Sequence, residues 1–462
     1  MKEQGITLTK ITQGLRKHSD GPFNSEALTE CFNVIPRVQG LVPAPTIIGS
    51  LVGISADYPF PQIFFGFRHW VCCTRDKVYT INGDYTVTLQ LDLSVYYNSF
   101  PTAPQGVWRM ADFHDYVVLT NGGVTINYDP VSGIWEYNDV ATMPTLGTVC
   151  NYNGQLVGSG REAIVGDPKT THPDASEVDS NYLLWGKIGA ASFRLDQGNV
   201  SGYRPMPWYG EIYHVMKLGN PGVVVVYGAS GIAIIKFEGV APGIIETFDF
   251  GVASRGAVGG GVNFHGLVDT AGNFRVLTKD LKMSEPEYQE YFSPMLGDEI
   301  IVSHNPTMDE IYITNGEVGY VYTKYGLGQV SILPTTLGVM AGVLRGVVVD
   351  SGDNSGHLTS DVIDFGTRGM KTIDTVEVGG VCPSGLQVAI SYRYSNEAAF
   401  EDTGWVDANP QGVVTIPCKG VDFKIKINCA SYLGLEIKYV KARVKFDDKR
   451  FVRGTDAYKA TA

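Results

Sequence analysis

Val223-Val-Val-Val-Tyr-Gly-Ala-Ser-Gly-Ile-Ala-Ile-Ile-Lys236 is two apolar, β-branched runs joined by a Gly-Ala-Ser-Gly turn. Each run is too short for a helix, and its residue types suit a pleated, covered strand, so the stretch reads as a buried β-hairpin. Working outward, the same unit recurs. Val71–Asp84, Asp115–Tyr128 and Asn153–Ser159 with Asn181–Gly186 precede it; Gly266–Leu277, Asp309–Tyr322 and Gly346–Leu358 follow. The units start roughly 40 residues apart, with one step stretched to about 70 by the polar loop between Arg161 and Ser180, and such spacing suits propeller blades. One blade cannot cover both of its faces, so blades stack around an axis and shield each other. The expected fold is all-β, a β-propeller of six or seven blades. No WD dipeptide or Gly-His signature marks the units.

Composition agrees. The 462 residues hold 55 Gly, 25 Tyr and 20 Phe, with only 18% charged residues, the balance of short strands and tight turns rather than of helices. Helices are expected only over Ser25–Phe32 and Ser284–Met295, the second opened by Ser284 with Pro286 in its first turn. A net charge of −12 argues against gripping nucleic acid through phosphates or resting on an anionic membrane. Residues 1–20 lack the apolar core of a secretory signal, and the most apolar stretches, Gly222–Phe237 and Leu337–Val349, are Gly-broken and short of the ~20 residues of a membrane span. Seven Cys do not form a disulfide framework; they read as free buried thiols of a chain folded in a reducing cytosol, with Cys72 and Cys73 facing opposite sides of a strand.

The flanks differ from the repeat. Residues 1–65 read as a Pro-rich extended arm leading into the first blade, and 66–368 as the propeller. From 369 to 462 the pattern changes to clean alternation, in Thr372–Val378, Leu386–Tyr394, Gly412–Ile416, Asp422–Asn428 and Leu435–Phe446. Alternation places one face in a core and one in water, so this region reads as a small C-terminal β-sandwich followed by a tail.

The search for chemistry is negative. Gly186-Lys187-Ile188 fails as a phosphate loop, and Gly256–Gly261 lacks dinucleotide spacing and reads as a turn or bulge. Eight His, at 18, 69, 114, 172, 214, 265, 304 and 357, are scattered singly and read as surface or strand residues rather than ligands. Asp350–Gly356 does not place oxygen ligands at the positions of a calcium loop and reads as a hairpin turn. Glu287–Glu290 and Asp447–Asp448 are candidate carboxylate pairs, which a glycosidase would need facing across a cleft. Trp208-Tyr209 and Tyr96-Tyr97 could stack on sugars, but Tyr and Trp also anchor protein interfaces. The chain is therefore expected not to be an enzyme. No catalytic, cofactor-binding or metal-ligating residue is assigned, and no cofactor is expected.

Three stretches carry a family resemblance. Glu30-Cys-Phe-Asn-Val-Ile-Pro-Arg-Val-Gln-Gly-Leu-Val-Pro43, with its Asn-x-x-Pro and Gly-Leu, resembles the start of short-tailed-phage tail hub and nozzle proteins of the packaged-DNA stabilisation type. Val276–Asp280 with Glu287–Phe292 is similar to their mid-propeller stretch. Asp361–Thr367, Met370–Ile373 and Phe446–Gly454 resemble their closing blade and terminal sandwich. The resemblance implies a structural virion protein, assembled in the host cytoplasm into the phage tail. It would form a homo-oligomeric, hexameric ring that extends the DNA channel below the portal and helps retain and release the genome. Its implied partners are the tail adaptor of the head-to-tail connector and tail fibre or spike proteins; DNA would pass the lumen without specific binding, and no membrane is involved. An acidic lumen would let DNA slide where a basic one would hold it. A glycan-binding or adhesion β-propeller is the alternative expectation.

Overall fold

The computed structural model describes residues 3–8, 10–16, 27–45, 53–66, 68–101, 103, 105–113, 115–137, 143–160, 180–193, 200–238, 241–340, 343–350, 353–367 and 369–446. Its regular secondary structure is almost entirely strand. The chain divides into two compact units that interleave in sequence: one holds 47–317 and 333–349, the other 1–46, 318–332 and 350–462. This differs from the consecutive arm, propeller and sandwich at 1–65, 66–368 and 369–462. Strand pairing between distant segments, not chain order, sets the division.

The first unit is a β-propeller. Five four-stranded antiparallel sheets follow one another, each running in simple chain order. Blade 1 comprises 62–65, 70–73, 77–81 and 87–92; blade 2 comprises 109–113, 116–120, 125–129 and 134–137. Blade 3 is 146–152, 155–160, 182–185 and 202–205, and blade 4 is 212–218, 223–228, 232–238 and 241–248. Blade 5 is 258–260, 264–268, 274–278 and 283–284. Two further strand pairs belong to the same unit, 301–305 with 310–314, and 332–340 with 343–350.

The recurring hairpins are mostly the second and third strands of the blades, where burial is deepest. Val223–Gly228 is buried at every position. Its side chains serve two cores: Val224 and Val226 pack towards blade 3, while Val223, Val225 and Tyr227 pack towards blade 5. Blade 2 does the same, with Val117 and Leu119 packed on blade 1 and Val118 on blade 3. Cys73 joins the core between blades 1 and 2 while Cys72 packs with Val347 of the last strand pair, so the two cysteines do face opposite sides. A strand covered on both faces is apolar throughout, which explains the unbroken Val run.

The second unit is a sandwich of two sheets. One sheet runs 34–37, 40–43, 436–446, 371–381 and 413–420, with 3–8 also pairing on 436–446. The strands of the other that belong to this unit run 319–323, 326–330, 28–32, 356–360, 422–429 and 386–393, with the short strands 401–402 and 406–407 on the last. The alternating segments are strands as expected, and their inward residues form the core: Ile373, Val376 and Val378, with Val440, Ala442 and Val444, and Ile425 with Ile427.

Three local expectations are corrected. Residues 28–32 form a strand on 356–360, not a helix, because Leu28 and Cys31 are fully buried in a sheet built from distant chain. Gly346–Leu358 is not a hairpin, and Asp350–Gly356 is not its turn: 343–350 pairs with 332–340, whereas 356–360 pairs with 28–32 and 422–429. The helix over Ser284–Met295 shrinks to Gln289–Phe292 and a 3-10 turn at Ser293–Met295.

The Asn33-x-x-Pro36 motif has a structural meaning. Asn33 is fully buried, with φ at +58°, a left-handed conformation that Asn tolerates better than most residues. Its Nδ2 donates to the carbonyls of Asp353 at 2.9 Å and Ser355 at 2.8 Å, and its Oδ1 accepts from the Ser331 N–H at 2.8 Å. Gly40, at φ +124°, lets its backbone lie against the Ile437 carbonyl, where a Cβ would come within 2.2 Å.

Candidate functional site

A concavity of the propeller unit opens where its inner strands converge, with a cavity volume of about 490 Å3. Blade 1 contributes Gln62 and Phe64, blade 2 Arg109, blade 4 His214, and the 301–305 strand Ser303 and His304. The titratable side chains on this wall are Arg109, His214 and His304, with no carboxylate among them, although the whole chain carries −12.

Polar contacts between blades hold the wall. The Trp108 indole N–H donates to the Thr74 carbonyl at 2.8 Å, joining blades 1 and 2. The Leu146 N–H donates to Thr125 Oγ1 at 2.8 Å between blades 2 and 3. The Thr148 hydroxyl accepts the Val215 N–H at 3.3 Å and is hydrogen-bonded to His214 Nδ1 at 3.1 Å, between blades 3 and 4. Between blades 4 and 5, the Tyr227 hydroxyl donates to His265 Nδ1 at 2.7 Å, and His265 Nε2–H donates to the Lys217 carbonyl at 3.2 Å. Arg255 pairs with Glu211, and Glu299 accepts the Gly256 N–H at 2.6 Å. Thr335 and Thr336 donate to the carbonyls of Pro61 and Ile63, at 2.8 and 3.0 Å, fastening the last strand pair to blade 1.

Burial governs the charge states. It pushes His214 well below its ordinary pKa, with Arg109 adding to the effect, and lowers His265 to about 4. His304 is also lowered by burial, which Asp309 opposes from 3.5 Å. Burial brings Arg109 down to about 10 against the opposing charge of Glu299. At neutral pH these imidazoles are therefore uncharged, and those of His214 and His265 are spent on contacts between blades.

The other residues singled out in the sequence scatter. Glu287 and Glu290 are both exposed on the surface of blade 5's trailing loop. Tyr97 is buried and accepts from Asn121 Nδ2 at 2.5 Å, while Tyr96 donates to the Gly123 carbonyl at 2.9 Å. Trp208 lies against Gly228 and Gly231, where a Cβ would come within 2.6 Å of its ring; Tyr209 is 91% exposed. His69 packs on Tyr128 and His357 stacks on Phe32. All seven cysteines are free. His18, His114, His172, the 161–179 part of the polar loop and the Asp447–Asp448 pair lie outside the described residues. Among the described residues no cluster of His, Cys, Asp and Glu could hold a metal ion, and no helix is long and apolar enough to cross a membrane.

No family model matches the sequence, and no curated protein matches it. Among solved structures the chain is similar to the WD40 domain of Neurospora crassa Pan2, at 8% identity and a TM-score of 0.37, over 65% of this chain and 85% of that one. It is similar to PorZ, a surface component of the type-IX secretion system of Porphyromonas gingivalis, at 10% identity and a TM-score of 0.34; the match spans 77% of this chain and 51% of PorZ. A protein from Desulfotomaculum acetoxidans is similar at 11% identity and a TM-score of 0.36, over 64% of this chain and 90% of that one. At such identities the likeness is one of fold alone.

Proposed function

We propose that the chain is a structural virion protein of a short-tailed phage, a tail hub or nozzle subunit that works without catalytic chemistry. The observation that supports it most is where the resembling segments fold. Glu30–Pro43 is far in sequence from the neighbouring segments Asp361–Thr367 and Met370–Ile373, yet they meet in one unit: 28–32 pairs with 356–360, Ile363 bridges to Phe423, and Leu41 and Lys371 both pair with the 436–446 strand. The entry and closing regions of the resemblance thus share one folded unit, while its middle region, Val276–Asp280 with Glu287–Phe292, lies in the propeller unit.

Other features fit a ring of copies around a DNA channel. Val95, Phe100, Val131 and Ile134, on or near the outer part of blade 2, are more than half exposed and offer apolar area of the kind subunit contacts bury. The −12 charge suits a lumen that DNA slides past. In this reading the copies form a hexameric ring that meets the tail adaptor on one side and tail fibres or spikes on the other.

Peptide mass spectrometry and gold-antibody labelling of purified phage particles test the proposal. Label at the tail tip, with roughly half a dozen copies per particle as closed ring symmetry requires, is the expected result. Absence from clean particles overturns it and favours the glycan-binding or adhesion reading.

A further inference from the structure

The sandwich unit carries a second concavity, of about 550 Å3, on the outer face of the sheet that contains 422–429. Its shape follows from strand pairing. Strand 386–393 pairs with 422–429 on one side and with the short strands 401–402 and 406–407 on the other. The segment 400–407 thus stands along the sheet edge and brings Phe400 and Trp405 to the groove. The floor is the outward register of 422–429, namely Lys424, Lys426 and Asn428, which alternate with buried Phe423, Ile425 and Ile427.

The floor is charge-balanced. Lys426 Nζ holds both oxygens of Asp402, at 3.0 and 3.1 Å, and the Ser391 hydroxyl donates to the same carboxylate. These two contacts keep the Asp402 carboxyl below its usual pKa, so it is ionised at neutral pH. Glu30 accepts the Thr359 hydroxyl at 2.6 Å. Lys424 lies 5.2 Å from the centre of the Phe400 ring. Two ammonium groups thus face two carboxylates, and Trp405 leaves 48% of its surface in water beside them.

That combination selects among ligand classes. A polyanion would find no net positive field here. An apolar ligand would strip water from amines, carboxylates and an amide without replacing its hydrogen bonds. A neutral molecule with many hydroxyls and one apolar ring face satisfies both demands, stacking on the indole while its hydroxyls reach donors and acceptors already fixed in place. We infer that this groove is a binding site for a neutral saccharide, with Trp405 as the stacking platform and Asp402, Lys426 and Asn428 as its hydrogen-bonding floor. An open groove of this kind binds weakly, on the order of millimolar to micromolar.

The test is titration of the full chain with neutral tri- and tetrasaccharides of glucose, galactose, mannose and N-acetylglucosamine, read by tryptophan fluorescence and saturation-transfer NMR. At least one is expected to bind, with Trp405→Ala weakening it about tenfold or more and Trp405→Phe recovering part of the loss. Asn428→Ala is expected to weaken it without lowering the melting temperature, since Asn428 is on the outer face. No binding across the panel at concentrations on the order of 10 mM overturns the inference. Binding that survives both Trp405→Ala and Asn428→Ala overturns it equally. The result is independent of virion labelling, so each reading can fail alone.

Discussion

Asn33 Oδ1 accepts the backbone N–H of Ser331 at 2.8 Å, joining residues 298 positions apart in sequence. The same side chain donates to Asp353 and Ser355, so one buried amide ties three segments of the sandwich unit. Asn33→Ala leaves the buried Ser331 N–H and two part-buried carbonyls without this partner and also forces Ala into a left-handed conformation. The expected loss is about 3–5 kcal/mol in denaturant unfolding. Asn33→Gly removes the same bonds without the backbone strain and is expected to be about 1 kcal/mol less damaging than Ala.

His265 makes the propeller acid-sensitive. Its folded pKa of about 4 lies below the ordinary value of 6.5, so the folded state resists a proton that the unfolded chain accepts. Stability from this group is complete above pH 6.5 and is lost as pH falls towards 4, by up to about 3 kcal/mol. His214, also held low by burial, loses stability in the same direction. Melting curves across this window are expected to be less steep in pH for His265→Leu than for the parent. Equal slopes would show that His265 carries no such linkage.

Lys371 should act at the other end of the scale. Its side chain is buried, with Nζ donating to the Thr367 carbonyl at 2.6 Å and to Gly369 at 2.8 Å, and burial lowers it to about 8. Between about pH 8 and the ordinary lysine value of 10.5 the unfolded chain holds more protons than the folded one. The contribution of Lys371 to stability therefore rises with pH through that window. Lys371→Met is expected to remove this rise, whatever it does to stability at neutral pH.

Thiol reactivity separates the cysteines. Burial pushes Cys72 up to about 12 and Cys31 and Cys73 well above the ordinary thiol value, whereas Cys382, also raised by burial, is only partly buried. Thiol reagents acting on native protein are expected to modify Cys382 well before Cys31, Cys72 or Cys73, because the thiolate is the reactive form. Peptide mapping after brief alkylation reads the order directly.

The ring-closing contacts predict a modest effect. Thr335→Val removes the hydroxyl that reaches Pro61 and leaves that carbonyl unpaired, at a cost of about 1–3 kcal/mol. Thr336→Val adds a similar amount. A double variant that melts no lower than either single one would argue that the two bonds do not act as independent fastenings.

What was legible in the sequence follows burial. Middle strands such as Val223–Gly228 touch a blade on each face and are apolar throughout, so they announced the repeat. Outer strands such as Val87–Asp92 touch little, alternate poorly and gave no signal. The sandwich strands were readable because a two-sheet unit leaves one face in water, as in Val413–Gly420. Residues 28–32 misled because their pairing with 356–360 is a fact of tertiary structure that no local propensity encodes. The convergence of Arg109, His214 and His304 has the same origin, since each comes from a different sheet. The Trp405 groove depends on a strap whose strands are two residues long, below what periodicity detects.

Glu3 pairs with Lys445, and Leu8 with Val440. A ribosome makes the first of these strands before the propeller and its neighbour only after the whole propeller has been synthesised. The blades can close as they appear, through contacts between consecutive segments, whereas the sandwich waits with its earliest strands unpaired. A chain ending before Glu436 would then carry a finished propeller and a half-built sandwich with open strand edges, the form a cell would aggregate or degrade first.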